Sequence, residues 1–329
     1  MKSRIIQAET VEELSRAYMK ELRTYNRTKK TYDEIDPYAE VYQFRENLYG
    51  IYTQNADGGG APWIYLVLGP EKAMLIDTGF GIGDLKSLVE KLAEGRELIV
   101  VNTHSHRDHA YGNFQFDEVF CHEYAVEELE AAMRPDAWDM LFDENGNNIW
   151  MEFDREDIIP FRKYKITGCK NHDKFSLGGD YEMEVIYLGG HDVGQIGILD
   201  KKNRILFSGD AFLSMYMILN GPKEWVGHKE MATINAFSAQ IDELMLQYDE
   251  FDVIFPGHFV LDIDKSVIPN VQEVCKKIIK DPGCYDFKEE RKGENATLSW
   301  CVDWEQLYIP IKRYCRKNHR RNRNDLIKE

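Results

Sequence analysis

Apolar runs separated by amphipathic stretches recur along this chain of 329 residues. The runs WIYLVLG and AMLIDTG flank the turn PEK, which predicts a β-hairpin. Downstream, Leu85, Leu88, Val89 and Leu92 share one helical face, and Gly95 stands where a helix would end. The run LIVVN then reads as the next strand.

The same alternation continues to about residue 260. Further strands are predicted at residues 184–188, 204–207 and 253–255. Ile234, Phe237, Ile241 and Leu244 mark one face of a helix before the last of them. Interleaved strands and helices are typical of a layered α/β protein.

No internal repeat or low-complexity linker divides the chain, so we place its boundaries from the hydrophobic and charge patterns of the sequence alone. We predict a helical N-terminal extension over residues 1–46, a central domain over 47–262, and a helical C-terminal extension over 263–329 that ends in a basic tail. Residues 135–165 mix aromatic and acidic side chains and are interpreted as a lid over the site. Packing against the N-terminal extension or a partner subunit is the alternative.

Charge and composition narrow the function classes. The net charge is −16, and the basic residues are concentrated at 312–329, so an acidic body argues against nucleic acid as the main substrate. No apolar run approaches the roughly 18 residues of a membrane span. The N-terminus lacks a secretory apolar core, and six scattered cysteines are expected to be reduced thiols. We therefore expect a cytoplasmic protein with a small-molecule substrate, and leave a homo-oligomer open.

The stretch THSHRDH at residues 103–109 carries the most distinctive chemistry. In a loop that leaves a strand, His104 and His106 project to one side, while Asp108 and His109 turn toward a neighbouring point. Imidazole and carboxylate are ligands that Zn²⁺ favours, and even an open catalytic site needs three of them. Further ligands must therefore come from elsewhere in the chain.

Candidates for those ligands stand at the ends of three apolar strands. They are His191 in LGGH, Asp210 in FSGD and His258 in PGH. Small glycine residues flank each of them and allow a close approach of the backbone.

With Asp77 in LIDTG, this ordered set resembles the metallo-β-lactamase superfamily over about residues 47–260, and glyoxalase II enzymes have a similar motif set. The resemblance implies a four-layer αββα sandwich that binds metals where the strand ends of two sheets meet. It assigns one metal to His104, His106 and His191, and the other to Asp108, His109 and His258. Asp210 would bridge both, and Asp77 would support a ligand or a loop.

One position departs from the family pattern. The usual third motif reads about GHTxGS, whereas this chain has Asp192 after His191. A carboxylate there would perturb the charge of the site, bind substrate, or cap a turn.

Two zinc ions, with iron or manganese as alternatives, would activate a bridging hydroxide for hydrolysis of an ester, thioester, lactone or amide. Asp108 would accept a proton, or act as a ligand only. A phosphodiesterase or phosphonate hydrolase and a mononuclear iron persulfide dioxygenase-like enzyme are the alternatives. A non-catalytic metal-binding sensor is disfavoured because no ligand is missing.

Substrate contacts are predicted from neighbouring sequence. Tyr216 and His228 follow Asp210, and Trp138 and Trp150 belong to the segment 135–165. We expect these four side chains to line or cover the pocket.

Overall fold

The structure is a computed structural model that describes residues 1–6, 14–54, 56–57, 60–214, 217–219, 227–284, 287–290, 296–301 and 311–316. Tyr216 and the basic tail beyond residue 316 lie outside the described residues.

The described residues form helices and strands in the following order. The α-helices are α1 (Leu14–Tyr25), α2 (Leu85–Ala93), α3 (Arg107–Ala110), α4 (Val126–Ala132), α5 (Ile234–Leu244) and α6 (Val267–Lys280). Short 3-10 helices span Tyr111–Gln115, Glu123–Ala125, Asp139–Leu141, Arg155–Asp157, Lys229–Ala232 and Met245–Glu250. The strands are β1 (Arg4–Ile5), β2 (Lys30–Tyr32), β3 (Asp36–Arg45), β4 (Leu48–Thr53), β5 (Trp63–Leu68), β6 (Lys72–Ile76), β7 (Glu97–Val101), β8 (Glu118–His122), β9 (Met151–Glu152), β10 (Lys165–Cys169), β11 (Lys174–Gly178), β12 (Tyr181–Tyr187), β13 (Ile196–Asp200), β14 (Ile205–Gly209), β15 (Met217–Leu219), β16 (Val253–Pro256), β17 (Ile263–Asp264), β18 (Phe287–Glu290), β19 (Ala296–Cys301) and β20 (Ile311–Arg316).

Two large sheets contain most of these strands. The first has eight strands in the order β10, β8, β7, β6, β5, β4, β3, β2, and the second has six in the order β11, β12, β13, β14, β16, β17. Strands β6, β7, β8 and β10 run parallel in the first sheet. Strands β14 and β16 run parallel in the second. The carboxyl ends of parallel strands share one edge of a sheet, where α/β proteins place their ligands.

The burial pattern explains why the sheets stack. All six residues of β5 are buried: Tyr65 and Val67 face the second sheet, where Phe207 and Phe255 lie, and Ile64 and Leu66 face the opposite side. A strand covered on both faces has no need for alternating polar residues, which is why β5 reads as one apolar run.

Helices cover both outer faces. Leu88 and Val89 of α2 pack on the first sheet. Ile241 of α5 and Val274 of α6 pack on the second sheet. The predicted four-layer αββα sandwich is confirmed, and so is the hairpin of β5 and β6.

The prediction of a helical extension over residues 1–46 was wrong for β1, β2 and β3, and β3 is a ten-residue strand of the first sheet. The polar residue Glu40 hides the strand pattern in the sequence. In the fold, Glu40 is neutralised by Arg23 and Lys29 and accepts a hydrogen bond from the Tyr42 hydroxyl at 2.5 Å. A buried carboxylate with such partners is compatible with a strand.

Among the described residues of 263–329, the prediction of a helical extension holds for α6. Strands β18, β19 and β20 follow it and form a sheet with β15. The proposed division at residue 262 stays a prediction.

Residues 135–165 contact the N-terminal residues. Strand β9 pairs with β1, Ile6 N–H donates to Trp150 O at 2.9 Å, and Lys2 contacts Asp157 at 2.7 Å. These contacts match the packing alternative, and a lid function of the segment stays a prediction.

No helix among the described residues is long and apolar enough to cross a membrane. The described cysteine side chains, Cys121, Cys169, Cys275 and Cys284, form no disulfide bond. A cytoplasmic location and a homo-oligomer stay predictions.

Candidate metal centre

One loop at the end of β7 presents four of the predicted ligands. Strand β7 pairs with β6 and β8 and ends at Val101, so the next residues emerge at the sheet edge. His106 is the N-cap residue of α3, and its carbonyl oxygen accepts hydrogen bonds from the N–H groups of His109 and Ala110, both at 3.0 Å. Asn102 fixes the end of this turn by donating from its side chain to His109 O at 3.1 Å.

The second sheet supplies the other three ligands from separate strand ends. His191 follows β12, Asp210 follows β14, and His258 lies two residues after β16. Gly257 N–H donates to Gly209 O at 2.8 Å and holds the last two ends together.

Glycine at position 257 is required by space. A Cβ atom there would lie 2.4 Å from Asp210 Oδ1 and 2.7 Å from His109 Cε1. The same turn joins the two sheets, because Trp63 N–H donates to Gly257 O at 2.7 Å and Pro62 forms an isolated antiparallel β-bridge with His258.

The seven predicted ligands converge on one point. Three groups have donor atoms within 4.8 Å of one another: His104 with His106 and His191, Asp108 with His109 and His258, and His104 with His109 and Asp210. His106 Nδ1 lies 3.0 Å from both His104 Nε2 and His191 Nε2. His109 Nε2 lies 3.1 Å from His258 Nε2.

Asp210 faces both groups. Its Oδ1 lies 3.5 Å from His109 Nε2, and its Oδ2 lies 3.5 Å from His191 Nε2 and 3.4 Å from His258 Nε2. Oδ1 is buried without a hydrogen-bond partner. A buried carboxylate oxygen without a partner is costly, and a bound cation would remove that cost. The residues present therefore fit divalent metal ions.

His104, in the three-histidine group, disfavours a proton. Burial lowers the pKa of His104 well below its usual value, and the neighbouring His109 and His106 lower it further. Neutral imidazole is the form that binds a metal.

The second group lies among several carboxylates, which favour the protonated form of its two histidines. Burial opposes charge on His109, but Asp108, Asp210 and Asp77 outweigh it and raise the pKa of His109 to about 9. Burial likewise opposes charge on His258, and Asp210 and Asp108 raise its pKa. Burial opposes ionisation of Asp108, yet His109 and His258 hold the pKa of that carboxyl below its usual value.

Asp77 supports the ligand loop from behind. It has a positive φ of 64°, and its Oδ1 accepts Thr103 N–H at 2.7 Å. Its Oδ2 lies 2.8 Å from both Thr103 Oγ1 and His109 Nδ1. Thr103 Oγ1 in turn lies 3.0 Å from His104 Nδ1. Asp77 therefore contacts one histidine directly and reaches another through a hydroxyl, and its role as a supporting carboxylate stays a prediction.

Sequence analysis missed two buried polar residues, Ser105 and Glu128. Ser105 Oγ lies 2.6 Å from Glu128 Oε2 and 3.0 Å from Asp192 Oδ2. The only local signal was the position of Ser105 between two predicted ligands. Glu128 lies on α4, where an acidic residue reads as solvent-facing.

The predicted substrate residues are dispersed. Trp138 is 5% exposed and packs on Tyr111 and Phe114, and its indole N–H donates to Phe80 O at 2.8 Å. Trp150 is half-buried beside the N-terminal residues.

His228 is about half exposed and stacks on Tyr124 with 3.8 Å between ring centroids. Tyr216 lies outside the described residues. Substrate contact by any of the four stays a prediction.

Comparisons with known proteins place these residues in a family context. The model of the metallo-beta-lactamase superfamily matches residues 57–258. The acyl-coenzyme A thioesterase MBLAC2 of Homo sapiens is 27% identical over 239 residues, which cover 65% of this chain and 78% of the human protein. The protein of the same name from Gallus gallus is 27% identical over 227 residues, or 62% and 74% of the two chains.

Solved structures resemble the fold as well. A metallo-beta-lactamase from Pontibacter korlensis aligns with a TM-score of 0.49 and 18% identity over 72% of this chain and 99% of its own.

Proposed function

The chain belongs to the metallo-β-lactamase superfamily and is a hydrolase, and we propose that it cleaves acyl thioesters at a centre of two zinc ions. The convergence of two ligand groups on Asp210 carries this proposal. His104, His106 and His191 would hold one ion, Asp108, His109 and His258 the other, and Asp210 would contact both. Imidazole and carboxylate donors suit zinc.

Two such ions, when bound, supply positive charge that lowers the pKa of a water molecule and stabilises a developing oxyanion. The protein provides the rest. Asp77 and Thr103 fix the orientation of His109 and His104, so their lone pairs are directed before any ligand arrives. Asp108 is ionised near neutral pH because its pKa is held low, and its Oδ2 lies 3.2 Å from His258 Nε2. A carboxylate that is held ionised in this way favours the ligand role over that of a general base, whose pKa should lie near the operating pH.

The thioester class is supported by sequence similarity. Relatives with the name acyl-coenzyme A thioesterase match most of their own length. Hydrolysis of a thioester, like that of an ester or a lactone, requires an activated water molecule and a stabilised oxyanion. It does not require a nucleophilic side chain.

The test combines metal analysis with a substrate panel on one sample. We expect about two zinc ions per chain and a kcat/KM for acyl-coenzyme A thioesters above that for matched oxyesters, a chromogenic β-lactam and a phosphodiester. A zinc-free sample should be inactive and recover with added zinc. One iron and no zinc would refute the centre, and a preference for the phosphodiester would refute the substrate class.

A further inference from the structure

Asp192 is a buried carboxylate directly beside a predicted ligand. Its side chain is 0% exposed. Oδ1 accepts Gly194 N–H at 2.9 Å, and the backbone oxygen accepts Gln195 N–H at 3.1 Å. Oδ1 therefore caps the turn after His191, one of the roles that sequence analysis allowed.

The second oxygen of Asp192 points toward the metal centre. Asp192 Oδ2 lies 3.7 Å from His106 Nε2. The other ring nitrogen, His106 Nδ1, lies 3.0 Å from the Nε2 atoms of His104 and His191. His106 thus presents Nδ1 to the ligand group and Nε2 to the carboxylate.

The Ser105 hydroxyl affects which hydrogen bonds the Asp192 carboxylate can accept. Its hydroxyl has one proton but lies near two carboxylates, Glu128 Oε2 at 2.6 Å and Asp192 Oδ2 at 3.0 Å. A carboxylate oxygen has two lone pairs, so Asp192 Oδ2 can interact with the Nε2–H of His106 whichever of the two carboxylates takes the Ser105 proton.

Tight packing fixes the position of Asp192. A Cβ atom at Gly194 would lie 2.4 Å from Ala125 Cβ and 2.7 Å from Ala125 N, so the turn sits directly against the segment that leads into α4. Close-packed turns of this kind hold a side chain in one place. His106 has the greater need of such support, since its side chain is 27% exposed whereas His104 is fully buried.

We propose that Asp192 is a positioning residue for His106. Its Oδ2 lies 3.7 Å from Nε2, too far for a hydrogen bond in this structure, but its charge attracts the Nε2–H of His106 and so favours the tautomer whose Nδ1 lone pair is directed at the ion in the three-histidine group. The centre would then have two supporting carboxylates: Asp77 for His104 and His109, and Asp192 for His106. This inference rests on the proposed metal centre.

The test is the zinc affinity of Asp192→Asn, measured by chelator competition on metal-free protein. Asparagine keeps the shape and the oxygen that caps the turn, but its NH₂ group cannot accept from His106. We expect about 10- to 100-fold weaker binding of one ion and unchanged binding of the other. The thermal midpoint of the metal-free variant should match wild type, because the turn is retained.

Two further measurements separate positioning from a structural role. In ¹⁵N–¹H spectra of the zinc-loaded protein, a slowly exchanging His106 Nε2–H should be present in wild type and lost in Asp192→Asn. Glu128→Gln changes the other carboxylate on the same hydroxyl and should alter affinity less. If Asp192→Asn fails to fold, Asp192→Thr, which keeps a capping oxygen, should show the same loss of affinity.

Wild-type affinity at both sites in Asp192→Asn, with the His106 proton still protected, would overturn the proposal and leave Asp192 as a turn cap. An affinity loss that Glu128→Gln reproduces in full would overturn it as well, because the hydroxyl network would then be responsible. Failure of the proposed centre itself would be distinct, since wild type would bind no zinc.

Discussion

The two sheets supply the site in opposite ways. The first contributes four ligands from a single turn of chain after β7, whereas the second contributes His191, Asp210 and His258 from three strand ends. The concentrated set is held from behind by hydrogen bonds to the buried carboxylate of Asp77. The distributed set is positioned by sheet geometry and by glycines that allow close approach. The positions of ligands in a short motif thus depend on local hydrogen bonds, whereas the positions of dispersed ligands depend on the whole fold.

The sharpest way to break this arrangement is to remove the side chain that both groups share. Asp210→Ala should reduce the affinity for both ions by more than about 100-fold and abolish most hydrolase activity, because Asp210 faces both groups. Metal titration and steady-state kinetics would measure both effects. His258→Ala is the matched control and should weaken mainly one ion. Two tightly bound ions in Asp210→Ala would place the bridge elsewhere.

Behind the concentrated set, Trp138 packs on Tyr111 and Phe114, which directly follow the ligand turn. Trp138→Ala should destabilise the protein by about 3 to 5 kcal/mol, because it leaves a large cavity in the core. Urea unfolding of the metal-free protein measures this loss, and zinc content at saturation should not change. A lid role predicts the reverse, a severalfold lower kcat/KM with stability intact.

Asp77→Asn tests the hydrogen bonds that organise the concentrated set. An amide in place of the carboxylate loses at least one acceptor toward Thr103 or His109. We expect zinc affinity to fall about 10- to 100-fold, and both ions to be affected because His104 and His109 belong to different groups. Calorimetric titration with zinc would measure it. A loss limited to one ion would show that the path through Thr103 is not used.

The smallest expected effect concerns the second sheet, away from the centre. His172 lies between Glu184 at 2.8 Å and Glu243 at 3.0 Å, and its hydrogen bonds to these two carboxylates raise its pKa. A pKa that is raised in the folded state stabilises the folded protein fully at pH values below the unfolded pKa of about 6.5. That stabilisation is lost as the pH rises through the folded pKa.

His172 is 45% exposed, so solvent screening limits this contribution to less than about 1 kcal/mol. His172→Gln should therefore reduce the free energy of unfolding at pH 5.5 and leave it unchanged at pH 9, with zinc affinity unaffected. An equal loss at both pH values would point to packing instead of charge.

Much of the candidate site could be predicted because the candidate ligands lie shortly after the ends of apolar strands. His191, Asp210 and His258 are far apart in sequence, yet the common position at a strand end was visible. The contacts among Ser105, Glu128 and Asp192 could not be predicted, because they depend on how α4 packs against a distant turn. Strand β3 was missed since Glu40 is neutralised by partners on other elements, Arg23 and Lys29.

The hydrogen bond between Trp63 and Gly257 has a consequence for folding kinetics. It joins residues nearly two hundred positions apart, and contacts of such long range form slowly because a large loop must close first. Ions bound as proposed would need ligands from both sheets, so complete uptake would have to wait until this junction has closed. In a refolding experiment, the rate at which zinc is taken up should therefore report when the two sheets dock, later than the hairpin of β5 and β6 forms.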